Sequence, residues 1–191
     1  MPRVTPAIVL VLVAALGEAT RVEALEVRQL DVTRAGGRFT MQAVAEIAIR
    51  PDVAFAILTD YEHLGELDPK VLESRVLERP EPNVVIVWLR VRACVAFVCK
   101  VMEQVERVDE HPPDEIVVTL LPERSDVKLQ NARWRIESTE EGTRLSYTLE
   151  LEPGSWVPAF ARGSVERQLR SSFRGALAAI ERLGETRVAS P

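Results

Sequence analysis

The sequence is short of several things, and each shortage closes off a class of function. It has two cysteines and two histidines. A four-cysteine zinc site is therefore impossible. A mixed one is disfavoured, because Cys94 and Cys99 stand as C-x4-C while His63 and His111 are far apart. It has no excess of basic charge: 24 Lys and Arg face 29 Asp and Glu, for a net charge of −5, so no global positive field exists to hold nucleic acid. Its longest apolar run, Ala7 to Leu16, is too short for a bilayer, which needs about 20 residues. G-x-S-x-G, H-E-x-x-H, phosphate-loop and dinucleotide-binding patterns are all missing. Hydrolase, zinc peptidase, NTPase and dinucleotide chemistry thus have no support, and neither a cofactor nor a metal is expected. There is no internal repeat and no low-complexity segment.

What is present is ordinary globular composition, 47% hydrophobic and 28% charged, over 191 residues. Arg3 precedes the apolar run, and Gly17 to Ala24 is more polar, with Val22 and Ala24 at the −3 and −1 positions of a cleavage site. Residues 1–24 therefore read as a secretory signal peptide. Export implies the periplasm or the cell exterior, where thiols oxidise. Residues 25–184 form the expected domain, and residues 185–191 a flexible tail. No cysteine closely follows the apolar run, which argues against a lipoprotein.

Along the mature chain, residues 26–33 read as a strand and Arg34 to Gly37 as a turn. In residues 38–49, Phe39, Met41, Ala43, Ala45, Ile47 and Ile49 share one face. Pro51 to Leu58 switches to helical spacing, with proline in the first turn and Asp52 near the positive end. A second short helix is expected over 61–67. Strands follow at 71–79, 84–92, 98–108, 115–121, 132–138 and 143–151. From Val157 to Leu183 the apolar residues Val157, Phe160, Val165, Leu169, Phe173, Leu177, Ile180 and Leu183 make one helical stripe, and Gly184 reads as its stop. Strands segregated from one long helix mean α+β, with a curved antiparallel sheet wrapped around the C-terminal helix. Such a grip can leave a ligand cavity between sheet and helix.

This order resembles the START-like, or SRPBCC, superfamily with its helix-grip fold, which includes coenzyme Q-binding proteins, polyketide cyclases and lipid-transfer domains. Local sequence carries the resemblance: Ile49 to Glu62 looks like the strand-to-helix junction ending in Asp-Tyr, Leu67-Asp68-Pro69 with Glu73 to Leu77 like the next stretch, and Thr143 to Pro153 with its following helix like the ending. The resemblance implies binding or transport of a small hydrophobic or amphipathic ligand, such as a lipid, isoprenoid, quinone or polyketide. The alternatives are a cyclase or aromatase on the same fold, or a protein-interaction module with a filled core. The export signal sets the chain apart from ribosome-associated relatives, so no ribosome is expected as partner. On one straight strand Cys94 and Cys99 would face opposite sides. The resemblance implies a hairpin there, with residues 95–98 as its loop, which would make the two cysteines a disulfide candidate rather than two small core residues.

The residues singled out for ligand contact are Tyr61, His63, Trp88, Arg90, Tyr147 and Phe160. Tyr61 and His63 sit with Asp60 where related proteins have a cavity mouth, and capping of the adjoining helices is their competing explanation. Trp88, Arg90 and Arg92 share one strand face. Turned inward they would suit an anionic head group; the wholly aliphatic opposite face, Val87, Leu89 and Val91, favours an outward position. Tyr147 shares a face with Leu145 and Leu149 and would aim a hydroxyl inward or find a backbone partner. Trp134 reads as core. The apolar segment Val95 to Val98 would cover the cavity mouth, contact a membrane transiently or dock a partner, unless it is buried strand. The Arg-rich face of the long helix reads as a solvated surface.

Overall fold

The structure, a computed structural model, describes residues 25–95, 98–154 and 157–189. The signal-peptide segment and the centre of the apolar tip fall outside the described residues. Eight strands form one antiparallel sheet: β1 (Leu25–Ala35), β2 (Arg38–Ile47), β3 (Val71–Glu81), β4 (Val84–Val95), β5 (Val98–His111), β6 (Glu115–Leu120), β7 (Leu129–Ser138) and β8 (Thr143–Glu152). Helix α1 (Pro51–Leu58) follows β2, and helix α2 (Arg162–Ala189) ends the chain. The spatial order is β1-β2-β8-β7-β6-β5-β4-β3. Strands β1 and β3 are thus the two edges, and β8, the last strand in the chain, returns to pair with β2. The α+β architecture read from the sequence is the one observed.

Alternation dictates the inner face. In β2, Phe39, Met41, Ala43, Ala45 and Ile47 are all buried, as a strand packed on one side requires. In α2, Val165, Phe173, Leu177 and Ile180 are buried against the sheet, with Leu169 and Leu183 packed on them. A second apolar cluster joins Phe39, Val95, Val157, Ala161 and Val165 at the N-terminal end of α2.

Three local expectations need correction. Residues 61–67 contain only a single 3-10 turn, Leu64–Glu66. The helical stripe does not reach back to Val157: Ala159–Ala161 is another 3-10 turn after Pro158, and its tighter winding breaks register, leaving Phe160 76% exposed. Gly184 does not stop the helix, so the expected tail is helical through Ala189. A Cβ at Gly184 would lie 2.7 Å from Ile49 Cγ2, so this glycine permits close packing of α2 over the end of β2. The last turn is held by an Arg187–Asp60 ion pair of 2.7 Å.

The β7–β8 turn is as tightly fitted. Gly142 has φ +149°, and a Cβ there would lie 2.2 Å from the Ile47 carbonyl oxygen. Next to it the fully buried Thr143 hydroxyl donates to the Ile49 carbonyl at 2.6 Å. Gly142→Ala is expected to cost about 2 kcal/mol in chemical denaturation, through backbone strain and displacement of β2. An unchanged midpoint would contradict this contact.

Candidate functional site

One helix does not fill the concave side of eight strands. Between α2 and strands β4, β5, β7 and β8 lies a cavity of about 300 Å³. Its walls are mainly apolar: Leu89, Val91 and Ala93 of β4, Met102 of β5, and Leu169 and Phe173 of α2. Small side chains, Ala93 and Ala176, face the space where larger ones would close it.

Three rings form one wall. Trp134 of β7 and Tyr147 of β8 are register partners, with ring centroids 4.2 Å apart. Phe173 of α2 stacks on both, at 6.0 Å from Trp134 and 5.7 Å from Tyr147. Such spacing gives attraction beyond area burial.

Another part of the lining is polar. Gln104 and Glu106 point inward from β5 and are 4% and 7% exposed. Gln130 of β7 donates from Nε2 to Glu106 Oε1 at 2.6 Å. Burial raises the Glu106 carboxyl to about 7, and the Gln130 hydrogen bond opposes that rise only in part. Burial likewise raises the Tyr147 phenol, helped by the negative charges of Glu106 and Asp68. The Tyr147 hydroxyl and Glu106 Oε2 make no hydrogen bond within the described residues. At the rim, Lys70 Nζ donates to Ser172 Oγ of α2, and Asp68 accepts from the Lys70 backbone N–H at 3.0 Å. Gln168 Nε2 donates to the Cys94 carbonyl, tying α2 to the β4–β5 hairpin. The arrangement can enclose an apolar body and present a titratable carboxyl, two amides and a phenol to its head.

Of the six residues proposed for ligand contact, Tyr147 lines this cavity and the others lie elsewhere. Tyr61 is buried in the main core, and its hydroxyl donates to Glu110 at 2.9 Å. His63 is exposed and hydrogen-bonded to Asp60 at 2.7 Å, which raises the imidazole pKa; Asp60 is lowered by His63 first and Arg187 second. Trp88 and Arg90 are on the outer face of β4. Arg75 lies 4.4 Å over the Trp88 ring, whose Nε1 donates to Glu103 at 3.3 Å, and Arg90 is exposed. The aliphatic residues of β4 needed the inner face, so no inward cation from this strand meets an anionic head group. Phe160 points to solvent for the reason given above.

Cys94 and Cys99 are cross-strand partners joined by a disulfide, with Cα atoms 4.0 Å apart. Val95, next to them, is buried and lines the cavity. Loop-closure entropy for so short a loop is worth at most about 2 kcal/mol. Reduction is therefore expected to lower the denaturation midpoint without unfolding the domain; complete unfolding on reduction would contradict this.

The sequence pattern does not mark Gln104, Glu106, Gln130 or Trp134 as site residues. On β5 both faces mix apolar with polar: Met102, Gln104, Glu106 and Val108 on one, Val101, Glu103, Val105 and Arg107 on the other. Val105 is buried too, because the Leu121–Ser125 connection covers it: Leu121 N–H donates to the Val105 carbonyl and Ser125 Oγ accepts from the Val105 N–H. Period-two reasoning had no clean signal to use.

A family model described as polyketide cyclase/dehydrase and lipid transport matches residues 38–185. A search of curated proteins finds no match. Among solved structures, the Zhui aromatase/cyclase from Streptomyces sp. R1128 is similar at a TM-score of 0.62 and 20% identity, over 85% of this chain and 98% of that one. A STAR-related lipid transfer protein from Xanthomonas axonopodis is similar at 0.61 and 15%, over 80% and 96%. The aromatase/cyclase StfQ of steffimycin biosynthesis has two domains, and the matched region covers 79% of this chain but 52% of that one, at 0.61 and 20%. These likenesses are of fold.

Proposed function

The chain belongs to the polyketide cyclase/dehydrase and lipid-transport family, and from that premise we propose that it binds or carries one small apolar or amphipathic molecule between the sheet and α2. A lipid, isoprenoid, quinone or polyketide-like compound suits the lining. The observation that carries this reading is the apolar cavity of about 300 Å³ with its single polar wall. Burial of apolar surface at about 25 cal/mol per Å² supplies useful affinity without covalent chemistry.

The reading includes export. Residues 1–24 have the pattern of a signal peptide, and a disulfide is in keeping with an oxidising compartment. Purifying the protein from cells expressing the full gene tests both parts. Native mass spectrometry is expected to find a mature mass beginning near Leu25 and a stoichiometric apolar adduct that organic solvent removes. Absence of an adduct, with no uptake of added lipids or quinones, would overturn the binding reading. An uncleaved chain retained in the cytoplasm would overturn export.

A second reading, acid–base catalysis of the cyclase or aromatase type, draws on Glu106 and Tyr147 facing one cavity. It requires a bound compound to leave with its structure changed. Conversion by wild type that Glu106→Gln abolishes, without loss of binding, is its test; release of unaltered ligand from both proteins would dismiss it.

A further inference from the structure

The polar wall discriminates among head groups, and this inference rests on the ligand-binding reading above. Glu106 lines the cavity and is 7% exposed; its Oε1 is occupied by Gln130, and its Oε2 makes no hydrogen bond within the described residues. No arginine lines the cavity, and Lys70 is the one lysine there among the described residues. That ammonium donates to Ser172, while Asp68 accepts from the Lys70 backbone N–H. Tyr147, the other titratable group facing Glu106, cannot supply positive charge. Glu106 makes no ion pair among the described residues, and the Lys70 ammonium on the same lining is directed to Ser172.

A carboxylate ligand seated at this wall would bring a second negative charge beside the buried Glu106 and near Asp68, which is repulsive. A protonated amine would donate to Glu106 Oε2 and neutralise it. Trp134, Tyr147 and Phe173 line the same cavity, and an aromatic lining favours a cation over an anion. We infer that the cavity selects amphipathic ligands with a protonated amine as head group, held by Glu106 in the space that Trp134, Tyr147 and Phe173 also line, and discriminates against fatty carboxylates.

Three probes of one chain length separate the possibilities: decylamine, decanol and decanoate, titrated at pH 8 by isothermal calorimetry into the wild-type protein and into Glu106→Gln. Wild type is expected to bind decylamine at least tenfold more tightly than decanoate, the range of a hydrogen bond to a charged group. Glu106→Gln is expected to bring that ratio to within about threefold while decanol binding, which reports an intact cavity, stays within about threefold of wild type. Decanoate binding as tightly as decylamine overturns the inference, as does an amine preference that survives in the variant. Loss of decanol binding in the variant likewise overturns it, since Glu106 would then support the cavity rather than select the head group. Failure of wild type to bind any of the three overturns this inference and the cavity-binding reading together.

Discussion

Glu106→Gln is expected to stabilise the ligand-free protein at pH 8 by about 2–4 kcal/mol and to leave stability unchanged near pH 4. The carboxyl titrates at about 7 in the folded state against 4.5 for the exposed group. Each unit of that difference corresponds to 1.36 kcal/mol. The sign follows from proton counting. Between these two values the folded state holds the proton more tightly than the unfolded state, so stability falls as pH rises through that window. Below it both states are protonated and the residue is harmless; above it the folded protein carries a buried charge that only Gln130 solvates. An isosteric amide removes the charge and keeps the contact, since its carbonyl accepts from the same Gln130 Nε2. Chemical denaturation at the two pH values checks this. Equal effects at both would mean that Glu106 is solvated and that the polar wall opens to bulk water. A buried carboxyl that weakens the free protein at neutral pH is the pattern expected of a group positioned for a ligand.

Filling the cavity is expected to weaken binding more than tenfold without harming the fold. Ala176 stands on α2 one turn beyond Phe173 and Ser172, and all three line the space. In Ala176→Phe the ring enters a void rather than packed atoms, so the usual overpacking cost of about 1–3 kcal/mol is not expected. The ring buries apolar surface where the ligand would, and affinity for decanol should fall more than tenfold, because excluding even two or three methylenes at about 0.8 kcal/mol each suffices. Thermal denaturation and calorimetry on the same sample check the two halves. A stable variant with unchanged affinity would place the ligand somewhere other than this cavity.

The element order was legible because each part carried a strong periodic signal. The inner face of β2 alternates without a break from Phe39 to Ile47, and every one of those residues is buried. Pro51 and Asp52 announced α1, and the Val165-to-Ile180 stripe announced α2. The ends of α2 were misread because single residues admit two explanations. Gly184 looks like a stop, yet it is small to accommodate Ile49. Phe160 fits a helical stripe, yet it precedes the helix on a turn of different period.

The candidate site was much less legible. Its polar wall is assembled from β5 and β7, which are distant in sequence and not neighbours in the sheet, and neither strand alternates cleanly. Asp60 and His63 stand where the resemblance places a cavity mouth, but they pair with each other, and Asp60 anchors Arg187 at the end of α2. Tyr147 was found because the strand on which it lies, with Leu145 and Leu149, does alternate. Trp134 pairs with it across the sheet, and that register is a property of the fold rather than of either segment alone.

The most direct test of a ligand seated between sheet and helix uses the methionines. The chain has three, and two of them, Met41 and Met102, line the cavity at 2% and 4% exposure. With methionine methyls isotopically labelled, titration with decanol is expected to shift the Met41 and Met102 resonances and to give intermolecular nuclear Overhauser effects from both to the alkyl chain. Saturable binding of decanol that leaves both methyl signals unmoved and without such contacts would contradict the account.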